Sequence, residues 1–164
     1  IGFGQGFQPV CGFNFGAHKY DRVTRGFHFC VRSSSLILLA LAVLGFAFAP
    51  QIIAVFRGDD AEVIRIGALT LRLQCISFPI TGFVVMSNML LQNIAMTLRA
   101  SIVAAARQGL FFVPFALILP HFFGLTGVQL CQAASDLCAF ILSICVTVPV
   151  VQRLSEGKNP HDAT

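Results

Sequence analysis

Four long apolar segments decide what this chain can fold into. They cover residues 31–56, 66–92, 100–120 and 127–151. Each is about 20 residues or longer, and a helix rises about 1.5 Å per residue, so each can cross a hydrocarbon core about 30 Å thick. Charged residues make up only 11% of the chain, whereas soluble domains carry about 25%. The sequence therefore predicts an all-α, polytopic bundle of transmembrane helices.

The distribution of basic residues predicts how the helices are oriented. Lys and Arg cluster before the first segment, near the start of the third and after the fourth, whereas the turn at 120–126 has none. Cytoplasmic loops carry the excess of Lys and Arg, so residues 11–30 and the C-terminal tail are expected in the cytoplasm. The basic residues follow the loops and not one face, and this distribution does not favour nucleic-acid binding.

These patterns divide the chain into four parts. The chain begins without Met, and its first ten residues are too short to span a bilayer, so we expect a C-terminal piece of a longer multi-pass protein of the plasma membrane. The expected parts are the end of a preceding transmembrane helix at 1–10, a cytoplasmic loop at 11–30, a four-helix part of the bundle at 31–152, and a cytoplasmic tail at 153–164.

Polar side chains at membrane depth form two narrow stripes when each residue is turned by about 100°. An amide in hydrocarbon loses its hydrogen bonds to water, so these stripes should face a bundle interior or an aqueous cavity. Either they line a substrate or ion path, or they bind the helices together by interhelical hydrogen bonds. The residues that we single out as path candidates are Gln74, Asn88 and Gln92 on the second segment and Gln132 and Asp136 on the fourth.

Asp136 is the acidic residue of these stripes. An ionisable side chain inside the membrane is costly and usually functional, so Asp136 could carry a proton or bind a cation, or could be a structural acid paired with Arg. Arg72 is one candidate partner, although it points about 160° away from the Gln74 stripe. Arg107, followed by Gln108, either snorkels to the cytoplasmic interface or reaches a carbonyl or an acid inside the bundle.

Other classes of function lack their motifs in this sequence. It has no hydrolytic triad and no phosphate-binding loop, and its six cysteines have no ligand spacing that indicates a metal site. We therefore expect no enzyme, no cofactor and no metal. A channel would show a filter loop or a ring of like charges. Polar stripes on helices that contain proline, such as Pro79, are typical of secondary transporters instead.

Residues 4–23, GQGFQPVCGFNFGAHKYDRV, contain the pattern Gly-x-Gly-x-Gln-Pro, then Gly-x-Asn-x-Gly-Ala, then an Arg-bearing segment. This stretch resembles the loop after the eighth helix of MATE (multi antimicrobial extrusion) efflux proteins, on the NorM, DinF and MepA-like side of that family. Leu91-Gln92 after the second segment, Arg107-Gln108 in the third and residues 120–136 before the last helix are similar to family patterns in the same order. Ala95 and Gln129 depart from the pattern, which has Gly and Val-Trp there.

The resemblance implies a twelve-helix transporter of two six-helix bundles, of which this piece supplies the end of helix eight and helices nine to twelve. Such proteins export cationic amphipathic drugs in exchange for Na⁺ or H⁺ by alternating access. Its partners would be the lipid bilayer, small cationic substrates and an N-terminal six-helix bundle. Two alternatives stay open: a flippase for lipid-linked oligosaccharides of the same superfamily, which would need a more cationic cavity, and a non-transporting membrane scaffold subunit.

Overall fold

The computed structural model describes residues 2–56 and 61–160. Within these ranges the side chains that lie outside the description are Phe56, Ala61, Val63, Gln108, Phe123, Leu125, Thr126 and Gln129. Within the described residues the chain is helical and contains no strand, which confirms the predicted all-α class. The elements are α1 (Gly2–Gly16), α2 (Tyr20–Ala47), α3 (Ala49–Phe56), α4 (Ala61–Asn93), α5 (Thr97–Ala105), a π turn (Ala106–Leu110) and α6 (Phe112–Ser155).

In residues 2–56 and 61–160, three helical stretches are long and apolar enough to cross a membrane. They are Tyr20–Ala47, Ile64–Asn93 and Leu130–Ser155, and a shorter apolar stretch covers Phe112–Phe122. The predicted third segment is thus divided between α5, the π turn and the start of α6. The multi-pass prediction agrees with this architecture.

Residues 11–30 are helical, where we expected a loop. α1 continues to Gly16, α2 begins at Tyr20, and only three residues interrupt them. The charged residues obscure an apolar face with helical spacing, because Tyr20, Val23 and Phe27 are 7%, 1% and 3% exposed. The side of the membrane on which this segment lies stays a prediction.

α6 reverses direction part-way along its length. Gly124 has φ 56° and ψ −131°, which is not a helical conformation. Beyond it the chain runs back against itself, since the Cys131 thiol donates to the Phe115 carbonyl at 3.2 Å. A methyl group added at Gly127 would overlap the Leu119 carbonyl oxygen, so only glycine allows this close approach. α6 therefore has a first arm at 112–122 and an antiparallel second arm at 127–155, which agrees with the predicted turn at 120–126.

α4 lies at the centre of the bundle and contacts α1, α2, α3, α5 and α6. Three aromatic rings connect α2, α4 and the second arm of α6: Phe83 packs edge-on against Phe27 at 6.3 Å and against Phe140 at 5.5 Å. Ser35 of α2 donates to the Pro79 carbonyl of α4 at 3.3 Å, so α2 and α4 are antiparallel. Gly157, just after α6, lies beside Tyr20 at the start of α2, so the second arm of α6 is also antiparallel to α2. α4 and the second arm of α6 therefore run in the same direction.

Candidate ion and substrate path

The π turn sets the direction of Arg107. The Phe111 N–H donates to the Ala106 carbonyl at 3.2 Å, one residue further along the chain than in an α-helix. Pro114 accounts for this departure from α-helical hydrogen bonding. It has no backbone N–H to donate to the Leu110 carbonyl one turn earlier, and its ring crowds that carbonyl. Such π turns occur frequently at functional sites.

Arg107 reaches an acid inside the bundle, which is the second of its two predicted environments. Its Nε donates to Asp136 Oδ1 at 3.3 Å, and Gln132 Nε2 donates to the same oxygen at 3.2 Å. Ser135 Oγ donates to the Arg107 carbonyl at 3.1 Å. A backbone contact and a side-chain contact thus join the π turn to the second arm of α6.

The burial of this ion pair is unequal. The side chain of Asp136 is 2% exposed and that of Arg107 is 32% exposed. A buried carboxylate is tolerated only with a partner charge and hydrogen bonds, and here both are directed at Oδ1. Asp136 Oδ2 is buried and has no hydrogen-bond partner among the described residues. That oxygen is therefore the atom on which a proton, a cation or water can be held.

Arg72 does not reach Asp136, so this candidate pairing is wrong. Its Nε donates to the Phe46 carbonyl at 3.4 Å, and its guanidinium lies 5.3 Å from the centroid of the Phe46 ring. The cause is Pro50, which lies one turn after Phe46 and has no N–H to donate to that carbonyl. The same proline accounts for the break between α2 and α3. Arg72 is a structural partner of α2.

The polar stripe of α4 forms its hydrogen bonds within α4 itself. Gln74 Nε2 donates to Ser77 Oγ at 3.4 Å, and Gln92 Nε2 donates to Asn88 Oδ1 at 3.2 Å. Gln74 and Asn88 are half-buried and Gln92 is exposed. These bonds do not join α4 to a neighbouring helix, which counts against the interhelical alternative for this stripe. The path assignment of Gln74, Asn88 and Gln92 stays a prediction.

The stripe of α6 is more deeply buried. Ser143 and Thr147, which the helical spacing places on this stripe but which we did not choose as path candidates, are both 0% exposed. Ser135, also 0% exposed, lies beside the stripe and was missed as a partner of the π turn. The position of Ser135 next to Asp136 could have indicated a role at this site. A helical wheel, however, does not show which carbonyl of a neighbouring helix lies opposite its hydroxyl.

Among the described residues, no group of three or more His, Cys, Asp or Glu side chains could hold a metal ion. The chemistry of the site therefore consists of one buried carboxylate, one guanidinium, amides and hydroxyls. Such a set can hold or release a proton, bind a small cation, or donate hydrogen bonds.

Comparison with known protein families matches residues 1–118 to the MatE family model. This chain belongs to the MatE, or MATE, family. The family resemblance that we drew from residues 4–23, Leu91-Gln92 and Arg107-Gln108 is thereby confirmed. Asp136 lies beyond the matched residues. A search of curated proteins gave no match.

Two solved structures share the fold. One is described as the inward-facing conformation of a multidrug resistance MATE family transporter of the MOP superfamily; it has a TM-score of 0.87 and 21% identity, over 95% of this chain and 36% of that one. The other, an outward-facing conformation of such a transporter, has a TM-score of 0.84 and 21% identity, over 93% and 35%. The chain thus spans about a third of the length of the MATE transporters that it matches.

Family membership has three consequences for this MATE chain. It is a multi-pass membrane protein, its surroundings include the lipid bilayer, and its family consists of transport proteins and not enzymes.

Proposed function

We propose that the chain forms part of the C-terminal bundle of a secondary active transporter, which exports cationic amphipathic compounds in exchange for Na⁺ or H⁺ by alternating access. Membership of the MatE family and the fold shared with inward-facing and outward-facing MATE transporters support the proposal. The cell membrane is the proposed location, with the C-terminal tail on the cytoplasmic side.

The observation that carries the proposal is the state of Asp136. Its carboxylate is buried at membrane depth, its Oδ1 is held by Arg107 and Gln132, and its Oδ2 has no partner among the described residues. A purely structural acid would have both oxygens satisfied. A coupling ion needs a site that is empty in part of the cycle, and Oδ2 has this property.

Substrate contacts are proposed for the half-buried and exposed amides of α4, namely Gln74, Asn88 and Gln92. Their hydrogen bonds are short-range ones within α4, which a ligand can replace without separating two helices. The flippase alternative gains no support from the site, since Arg72 is committed to the Phe46 carbonyl and Arg107 to Asp136.

The test is dye efflux by the full-length protein that contains this chain, reconstituted in liposomes with a Na⁺ gradient or a pH gradient. We expect efflux of a cationic dye under one of the two gradients. We expect Asp136→Asn to reduce it at least about tenfold, because the amide cannot exchange the ion.

Glu156→Gln provides the matched control, because it makes the same acid-to-amide change on the exposed side chain that pairs with Lys158 after α6. We expect no change in its efflux. Unchanged extrusion and unchanged ion coupling in Asp136→Asn would remove Asp136 from the mechanism. Absence of efflux under both gradients would contradict the proposed antiport itself.

A further inference from the structure

Buried polar atoms without partners are concentrated in one part of the bundle. Four such side-chain oxygens occur in the described part of the chain: Ser87 Oγ, Asp136 Oδ2, Ser143 Oγ and Thr147 Oγ1. Asp136 is 2% exposed and the three hydroxyl residues are 0% exposed. Buried polar groups nearly always have a partner, and ordered water is a common one. A group of four such atoms therefore requires a physical explanation.

Three of these atoms belong to side chains on one line along the second arm of α6. At about 100° per residue, Asp136, Ser143 and Thr147 lie within about 40° of each other. Ser143 is about 10 Å along the axis from Asp136, and Thr147 is about 6 Å further. Between Asp136 and Ser143, the neighbouring side chains are Ala139, which presents only a buried methyl group, and Phe140, whose ring packs against Phe83. Asp136, Ser143 and Thr147 thus place polar groups at three positions where an apolar core would carry large apolar side chains.

The fourth atom belongs to Ser87 on α4. The rings of Phe83 on α4 and Phe140 on α6 are 5.5 Å apart. Ser87 and Ser143 follow these two rings by about one turn each, and the two helices run in the same direction. Ser87 therefore approaches the level of Ser143 from the side of α4.

The line leads to a cavity near the C-terminal end of α6. This cavity has a volume of about 340 Å³, and Thr147 is part of its lining together with residues from α2 and α4, including Thr24, His28 and Phe83. Beyond Thr147, the same face of α6 carries Val150 and Leu154, which are 1% and 0% exposed and belong to the apolar core. A water-filled route along this face of α6 must therefore end at Thr147, where it opens into the cavity.

We propose that a file of water molecules, held by the hydroxyls of Ser87, Ser143 and Thr147, connects this cavity with Asp136 and carries protons between them. The proposal rests on the proposed function and deepens it by naming the proton as the ion that Asp136 exchanges. In the release step the O–H bond of protonated Asp136 breaks, and its electron pair stays on Oδ2. The proton passes to the adjacent water and leaves through the cavity as hydronium.

The surrounding charges fit this assignment. Arg107 donates to Oδ1 and stabilises the carboxylate that remains after release, while Oδ2 is left available to water. Several other charged or titratable side chains of the packed elements have contacts of their own or exposed positions. Arg99 of α5 is 3.9 Å from the Met96 sulfur, and Arg72 of α4 contacts Phe46. Glu62 and Arg65 are exposed near the start of α4. His28 of α2 lines the cavity.

The direct test measures whether water reaches the file. In the full-length protein with its native cysteines replaced, we would introduce Ser143→Cys, Thr147→Cys or the control Val103→Cys, and add Ag⁺ on the side of the C-terminal tail. Val103 is equally buried, at 0% exposure, in the apolar core. Silver reacts with an ionised thiol, so protection from later alkylation reports access of water.

We expect Ag⁺ to react with both file cysteines at least about tenfold faster than with the Val103→Cys thiol. Equal, slow reaction at all three positions would overturn the water file. This readout does not depend on transport, so it stands apart from the outcome of the proposed function.

A second test in the native-cysteine background compares Ser143→Ala and Thr147→Val with Ser34→Ala. Ser34 is also buried, but its hydroxyl already donates to the Val31 carbonyl at 3.1 Å. If the file carries protons, the two file variants slow proton-driven efflux about tenfold and Ser34→Ala does not. If the hydroxyls are dry, their removal raises the thermal midpoint and leaves efflux unchanged, which overturns the proposal. Efflux that runs on a Na⁺ gradient alone also overturns it, while leaving the antiport function intact.

Discussion

The ion pair between Arg107 and Asp136 should respond unequally to removal of its two members. Arg107→Leu leaves the carboxylate, which is 2% exposed, without its counter-charge. Breaking a buried pair in this way costs about 3–5 kcal/mol of unfolding free energy. Asp136→Asn keeps an acceptor oxygen for Gln132 and leaves an arginine that is 32% exposed and can turn towards water. Its cost should be about 1–2 kcal/mol.

The double variant decides whether this reasoning is correct. When Asp136 is also replaced by Asn, the removal of Arg107 no longer leaves a buried carboxylate without its counter-charge. The double variant should therefore be about 2 kcal/mol more stable than Arg107→Leu alone, whereas independent residues would make it less stable, because their single costs would add. The assay is reversible SDS unfolding of the full-length protein in mixed micelles, followed by helical circular dichroism.

An exposed pair on α2 supplies the control for these measurements. Arg25 and Asp21 are 2.8 Å apart, but their side chains are 80% and 68% exposed. Arg25→Leu should therefore change the unfolding free energy by less than about 1 kcal/mol. Equal costs for Arg107→Leu and Asp136→Asn that simply add in the double variant would refute the argument.

Three further substitutions test the backbone of the site by thermal unfolding of the full-length protein. Gly127→Ala should cost about 3 kcal/mol, because the new methyl overlaps the Leu119 carbonyl; an unchanged midpoint would contradict the close approach of the two arms. Ser135→Ala should cost about 1 kcal/mol by removing the donor to the Arg107 carbonyl, and a gain in stability would count against that bond. Ala95 has φ 60°, a left-handed conformation that is strained for alanine but not for glycine. Ala95→Gly should therefore stabilise the protein by about 0.5–1 kcal/mol, because the relief of strain exceeds the extra conformational entropy that glycine loses on folding. A loss of stability would be inconsistent with that conformation.

The position of Ala95 also shows how a family pattern can be understood physically. The resemblance marked it as a place where the family has Gly, and the structure gives the reason, since the link between α4 and α5 needs a left-handed residue there. The same reasoning was not available for residues 11–30. Their charges resembled those of a loop, but Tyr20, Val23 and Phe27 form a buried apolar face with helical spacing.

The sequence by itself determined that the chain crosses a membrane, that its last segment begins at a turn near 120–126, and that polar side chains share faces at membrane depth. These follow from hydropathy and helical periodicity, which are properties of single helices. Only the tertiary structure decided that Arg107, and not Arg72, pairs with Asp136. It also showed that Arg72 donates to the Phe46 carbonyl, which Pro50 leaves without a helical donor, and that hydroxyls on α6 have no partners among the described residues. A contact between two helices depends on their rotation, kinks and spacing, and the periodicity of one helix carries no information about which side chain its neighbour presents.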